Sequence, residues 1–367
     1  MDLKLFLCGD VMTGRGIDQA LSHPVDPVIY EPYITDARDY INLAQKANGI
    51  FKLPLSPLYI WGDALEQFEH EKPDLRIINL ETSITNNKDY WKGKGINYRM
   101  SPANIACITS AGINCCVLAN NHVLDWGYQG LIDTLDILKK HNIQYSGAGN
   151  SKKEAKNPAI LTKNKMRVLV FSAATESSGV PLQWEADSNR PGVNLLHGLT
   201  VEHAHSVGKW IEMFRRPDDL VVLSIHWGAN WVFKIPSLHI QFAHTLIDNG
   251  YVDLIHGHSS HHILGMEVYK GKPIIYGCGD FINDYEGIGG QELFRGDISM
   301  MFFIAFDTTG WKLQNVILIP LIKHQFTLKK PSVKDYKFIE AKLNLMGEQF
   351  KNRVISKNKT AFSLQWE

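Results

Sequence analysis

Short runs of Val, Ile and Leu alternate along this chain with longer stretches in which apolar residues recur at helical spacing. The runs Leu3–Cys8, Leu75–Leu80, Cys115–Ala119, Arg167–Ala173, Leu220–Ile225, Val252–Ile255, Met266–Tyr269 and Pro273–Tyr276 predict strands, and Ile298–Phe306 and Leu313–Leu321 predict two more. Most lack strict polar/apolar alternation, which marks strands covered on both faces. Gly271, in Tyr269-Lys270-Gly271-Lys272, marks a hairpin between two of them. Gly130–His141 places Leu131, Leu135 and Leu138 on one side of a helix. Val201–Phe214 and Ser237–Asn249 read the same way, the second stopping at Asn249-Gly250. Pro331–Phe350 predicts a final helix, with a lysine-rich, loose tail after it. Strand–helix alternation that gives way to hairpins predicts an α/β layered domain with mixed sheets.

Composition narrows the function. The 367 residues carry 38 basic and 38 acidic side chains, and a chain with no net charge lacks the basic footprint of a general nucleic-acid binder. No stretch approaches ~18 uninterrupted apolar residues, so no membrane span is expected. Met1 to Leu7 runs directly into Cys8-Gly9-Asp10 with no long apolar segment, so no signal peptide is expected. The five cysteines, Cys8, Cys107, Cys115, Cys116 and Cys278, include no C-x-x-C and sit mostly in or beside apolar runs. They read as reduced, buried thiols, and with them a cytoplasmic location is expected.

The residues at the end of each apolar run carry the chemistry. Leu3–Cys8 ends in Gly9-Asp10, and Leu75–Leu80 ends in Glu81. Cys115–Ala119 ends in Asn120-Asn121-His122, and Leu220–Ile225 in His226-Trp227-Gly228. Val252–Ile255 ends in His256-Gly257-His258-Ser259-Ser260-His261-His262, and the run to Tyr276 in Gly277-Cys278-Gly279-Asp280. In open α/β sheets ligands bind at that edge of the strands. Carboxylate, amide and imidazole groups converging there form a ligand set for a divalent ion, Zn, Mn, Fe or Ca, and the lack of paired cysteines disfavours a structural zinc knot.

The order of these motifs resembles the CapA family, the poly-γ-glutamate capsule synthesis proteins (PGA_cap domain), within the calcineurin-like metallophosphoesterase superfamily. The matching pieces are Gly9-Asp10-Val11-Met12-Thr13-Gly14-Arg15, Asn79-Leu80-Glu81, Asn97-Tyr98-Arg99, Ala119-Asn120-Asn121-His122-Val123-Leu124-Asp125, His226-Trp227-Gly228, Gly257-His258-Ser259-Ser260-His261 and Tyr276-Gly277-Cys278-Gly279-Asp280-Phe281. The resemblance implies a fold of two stacked mixed β-sheets flanked by helices, an αββα sandwich, over residues 1–325, with 326–367 as a C-terminal helix and tail. It implies one or two divalent ions held by Asp10, Glu81, Asn121, His226 and His258. It also likens His122 to a leaving-group acid and makes His261 a further ligand candidate. Two departures stand out. Met12 replaces the His of the Asp-x-His motif, which points to one metal instead of two or to a harder ion such as Ca. The last motif has one more residue between its histidines than Gly-His-x-His.

Candidate roles come from side-chain chemistry. A bound cation polarises a carbonyl or activates water, and a nearby imidazole moves the proton. His122 and His261 are the candidate shuttles, with Asp125 and Asp280 to orient them; Asp125 reads equally as the N-cap of the next helix. Arg15 and Arg99 are candidate anion grips. Trp227, with Trp231, is a candidate pocket wall. Three functions remain open: a metal-dependent hydrolase of an amide or phosphoester in a small peptide-like or γ-glutamyl substrate, a metal-assisted peptide epimerase of the kind found in lasso-peptide pathways, and a non-catalytic capsule-assembly subunit. Nothing in the pattern sets an oligomeric state.

Overall fold

In the first strand, Asp2–Val11, side chains alternate between two different apolar environments. Leu3, Leu5 and Leu7 join one buried cluster, while Phe6 and Cys8 join another. A period-2 strand with both faces apolar must be covered on both sides, and that requirement builds the architecture. The computed structural model describes residues 2–367. The strand lies inside a ten-stranded mixed sheet, hydrogen-bonded to Leu75–Leu80 in parallel and to Ile298–Asp307 in antiparallel register. A second, seven-stranded mixed sheet is built around Met166–Thr175, Leu220–His226 and Leu254–His258, which run parallel.

The cluster containing Leu3, Leu5 and Leu7 also holds Val168, Val170, Val222 and Leu254 of the second sheet, so it is the layer between the sheets. Phe6, Cys8, Ile78 and Leu80 pack outward with Phe68, Leu131 and Leu135 on the helices Ala64–Glu71 and Gly127–Lys140. Leu169, Phe171, Val221 and Leu223 pack outward on the other side, with Val207 and Phe242 of Val201–Glu212 and Ser237–Asp248. The four layers are those of the expected αββα sandwich. The expected hairpin forms between Met266–Tyr269 and Lys272–Ile275, where Lys270 and Gly271 both take positive φ, as a tight two-residue turn requires. All five cysteines are buried and unpaired, and no helix among the described residues is long and apolar enough to cross a membrane.

The C-terminal segment differs from expectation. Its helix forms over Val333–Gly347, but the tail is a hairpin, Asn352–Ser356 and Phe362–Trp366, which joins the ten-stranded sheet through Ile317 and Leu318. The reason is burial: Val354, Phe362 and Leu364 enter the layer between the sheets, and Phe362 stacks on Tyr336 at 4.3 Å. Phe362→Ala should therefore lower unfolding free energy by about 3–5 kcal/mol, the usual cost of truncating a buried aromatic. Urea denaturation reads this out, and a loose tail would show no change.

A candidate metal and acid–base centre

The site begins with a local irregularity. The register of the first strand against Leu75–Leu80 shifts between Cys8 and Asp10, leaving Gly9 as the extra residue. Such a bulge re-aims the side chain beyond it. A Cβ at Gly9 would stand 1.7 Å from the Gly279 carbonyl oxygen, so only glycine lets the Cys278-Gly279 segment close against the strand. Asp10 then lies level with Asn79 and Asp280. Its Oδ1 accepts a hydrogen bond from Asn79 Nδ2 at 2.7 Å, whereas its Oδ2 is buried with no partner.

The second sheet supplies imidazoles by register. Ser224 pairs with His256 and His226 with His258, so all four side chains share one face, the one that Val222 and Leu254 bury between the sheets. The hydrogen bonds that link them have a direction. The Cys8 carbonyl can only accept, so His256 Nε2, 2.8 Å away, carries the proton. His256 Nδ1 is then an acceptor and takes the Ser224 hydroxyl at 3.0 Å. Ser224 Oγ in turn accepts from His258 Nε2 at 2.9 Å. His258 Nδ1 is left as a bare lone pair. His226 Nε2 donates to Asn121 Oδ1 at 3.1 Å, which leaves its Nδ1 bare as well. These two nitrogens face each other at 2.7 Å, and His258 Nδ1 lies 3.9 Å from Asp10 Oδ1.

Two lone pairs and a buried carboxylate gathered at one place suit a cation. Candidate ligand atoms of Asp10, His226 and His258 all lie within 4.8 Å of one another, and a second group, Asp10, His261 and Asp280, shares Asp10. The electrostatics agree. Burial and then Asp280 push the Asp10 carboxyl up to about 7. Burial and then Asp10 push Glu81 well above the carboxylate range. Burial holds His226 and His258 far below the usual imidazole value, in the neutral form a metal requires. A divalent ion would offset the carboxylate strain and use the bare nitrogens.

Two imidazole–carboxylate pairs flank this group. His122 Nδ1 sits 2.6 Å from Asp125 Oδ2, with its Nε2 3.7 Å from Glu81 Oε1. Asn79 and Asn120 set the loop: Asn120 Nδ2 donates to Asn79 Oδ1, while its Oδ1 accepts from the backbone of His122 and Val123. Asp125 does not cap the next helix, whose N-cap is Trp126; its carboxylate takes the Tyr98 N–H instead. The second pair is His261 Nδ1 to Asp280 Oδ1 at 2.8 Å, with Asp280 Oδ2 accepting from Asn283. Ser259 at φ +101° and His261 at φ +58° hold left-handed backbone, a cost of about 1–3 kcal/mol each for such residues. The extra residue in this loop is thus absorbed as strain that aims His261 at Asp280.

Comparison with known proteins gives the family. Residues 4–285 match the family described as bacterial capsule synthesis protein PGA_cap. The chain belongs to that family. It is 41% identical over 97% of its length, and 94% of the relative's, to a probable polyglutamine synthesis accessory protein of Mycobacterium tuberculosis. It is 26% identical to the capsule biosynthesis protein CapA of Bacillus anthracis, over 77% of this chain and 60% of that one. A phosphatase structure from Mycoplasma pneumoniae aligns with 88% of this chain and 95% of its own, at 14% identity and a TM-score of 0.49.

In this capsule synthesis family member, not every expected site residue reaches the centre. Asp10, Glu81, His122, Asp125, His226, His258, His261 and Asp280 converge. Asn121 stands behind His226, on its far nitrogen, instead of beside it in the ligand ring. The anion-grip expectation for Arg15 is corrected: its guanidinium is buried and taken up by Glu31, Asp284 and Tyr40. Arg99 is corrected too. It donates to the Asn87 and Asp26 carbonyls and lies 3.6 Å over the Trp126 ring, tying loops together. Trp227 is core, stacked on His239 and bonded to the Tyr276 carbonyl; the aromatic wall is Trp231, stacked on His261 at 5.2 Å. Lys94 and Ser224 were not anticipated. Lys94 Nζ lies 2.7 Å from Asp125 Oδ1 and 2.9 Å from His122 Nδ1.

Purified protein should hold near-stoichiometric divalent metal after incubation with Mn, Zn or Ca and dialysis, read by elemental analysis. Asp10→Asn and His226→Ala should lose it. Ser224→Ala, which removes the partner of His258 Nε2 without touching the proposed ligand atom Nδ1 and frees His258 to take the other tautomer, should weaken binding about 10-fold or more. Ser224→Ala protein with unchanged affinity would contradict the relay.

Proposed function

We propose that the protein is a metal-dependent hydrolase that cleaves an amide or phosphoester bond in a small peptide-like or γ-glutamyl substrate. The observation that carries this reading is the meeting of two bare imidazole nitrogens and the buried Asp10 carboxylate beside the His122–Asp125 pair. A divalent cation held by Asp10, His226 and His258 would polarise the carbonyl or phosphoryl oxygen under attack. The chain's own groups handle the protons. Asp125 fixes His122 through Nδ1, leaving Nε2, which faces Glu81, as the atom that gives or takes a proton. Asp280 fixes His261 in the same way. A cleft of about 410 Å³ lies next to the His261–Asp280 pair, lined by Trp231, which stacks on His261, and by Asn283, which bonds Asp280. The γ-glutamyl class comes from the resemblance to the family, whose members are named for capsule, PGA and polyglutamine synthesis.

A second reading, transfer of a peptide α-proton, is supported by the presence of two imidazole–carboxylate pairs, since inversion at carbon needs a base on each face. The two are separated by assaying metal-loaded protein on γ-glutamyl-p-nitroanilide and p-nitrophenyl phosphate, and by incubating peptides with it in deuterium oxide. Release of the chromophore, reduced by about 100-fold or more in His122→Ala, is the expected result. Deuterium uptake without cleavage would replace hydrolysis by epimerisation. Neither activity, with metal bound, would leave an assembly subunit and overturn the enzyme reading.

A further inference from the structure

Tyr98 and Tyr285 connect the two imidazole–carboxylate pairs. The Tyr98 ring stacks on the His122 imidazole with centroids 3.9 Å apart, and the Tyr285 ring lies 6.0 Å from His261. Their hydroxyl oxygens meet at 2.6 Å, and among the described residues each hydroxyl has the other as its one hydrogen-bond partner. Two phenols carry two hydrogens, and the bond between them uses one. The other O–H is left without a protein acceptor. Tyr98 is 2% exposed, and a donor stranded in such a place is costly.

The two hydroxyls are not equivalent. Tyr98 is enclosed, whereas Tyr285 lines the 410 Å³ cleft that opens beside Trp231. Either oxygen can donate in that bond; the arrangement in which Tyr98 donates to Tyr285 leaves the spare hydrogen on the residue that lines the cleft. Beneath both rings lies Arg15, its guanidinium carbon 4.7 Å from the Tyr98 centroid and 5.6 Å from that of Tyr285. Glu31 and Asp284 fix that cation in place. The Arg15 side chain thus braces the ring pair, a role that its sequence context as an anion grip did not suggest.

We infer that Tyr285, polarised by the hydrogen bond from Tyr98, donates to an oxygen of the substrate presented between His122 and His261: a carboxylate, carbonyl or phosphoryl oxygen. What that oxygen belongs to rests on the hydrolase reading above; the missing acceptor does not. The Phe variants isolate the hydroxyls, because they keep the stack on His122 and the rings over Arg15.

The test is calorimetric binding of inorganic phosphate and of glutarate to manganese-loaded wild type, Tyr285→Phe and Tyr98→Phe, with manganese content, thermal midpoint and hydrolysis rates measured alongside. Tyr285→Phe should lose about tenfold or more in affinity for at least one probe, and Tyr98→Phe about two- to fivefold, with metal content and thermal midpoint unchanged. If these losses appear while wild type hydrolyses nothing, the donor assignment stands and the hydrolase reading falls. Wild type that binds neither probe overturns the assignment. So does Tyr285→Phe binding as wild type, a Tyr98→Phe loss as large as that of Tyr285→Phe, or losses that merely track a lowered thermal midpoint.

Discussion

A backbone carbonyl accepts hydrogen bonds and never donates them, and in this protein the Cys8 carbonyl settles the state of the side chains beyond it. It sets the His256 tautomer, that sets the Ser224 hydroxyl, and that sets His258. The bare nitrogen at the end of the chain is a consequence of the first bond. Because Cys8 lies in one sheet and the other three residues in the second, the same bonds pin the sandwich at the edge where its ligand groups meet. A slip of one residue between the parallel strands carrying Ser224 and His256 would turn His226 and His258 to opposite faces and dissolve the site.

The cost of this arrangement shows in its surroundings. Buried polar groups are tolerated when they are partnered, and amides partner the acids and the loop of this site: Asn79 serves Asp10 and Asn120, Asn120 serves the His122 loop, Asn283 serves Asp280. Asp10 Oδ2 is among the buried atoms left without a protein partner. The left-handed backbone at Ser259 and His261 belongs to the same pattern, strain held at the place where chemistry is done.

Sequence made the sandwich and most of the converging residues legible because buried parallel strands are continuous apolar runs, so a polar residue at their end stands out. Asp10, His226 and the His256–His262 loop were visible for that reason. Ser224 was not: one small hydroxyl inside Leu220–His226 looks like ordinary strand until the register sets it beside His256. Lys94 was hidden because it sits on a loop whose target, Asp125, lies 31 residues away in the chain and is brought close only by folding. The roles of the arginines were not legible for a related reason. Whether a guanidinium is free depends on distant partners, and Arg15 meets Asp284, 269 positions on. The C-terminal hairpin carried its own signal in the alternation Phe362, Leu364, Trp366, but the surrounding lysines, which stay on the outer side, masked it.

The two imidazole–carboxylate pairs look alike in sequence and differ in charge. Asp125 is shared with the Lys94 ammonium, so His122 faces a carboxylate already neutralised by a neighbour. Burial and then Lys94 hold its imidazole well below the usual range. Asp280 is shared only with the Asn283 amide, while the nearest ammonium, Lys323, sits on its backbone carbonyl. There the carboxylate outweighs the burial that opposes it, and His261 is held above the usual range. A neutral imidazole accepts a proton and a protonated one gives it up, so environments that push two such groups apart assign them opposite tasks at one pH. The loop that brings Lys94 to Asp125 is therefore what makes two similar pairs electrostatically different, and under the proposed acid–base reading that difference is what would separate their tasks.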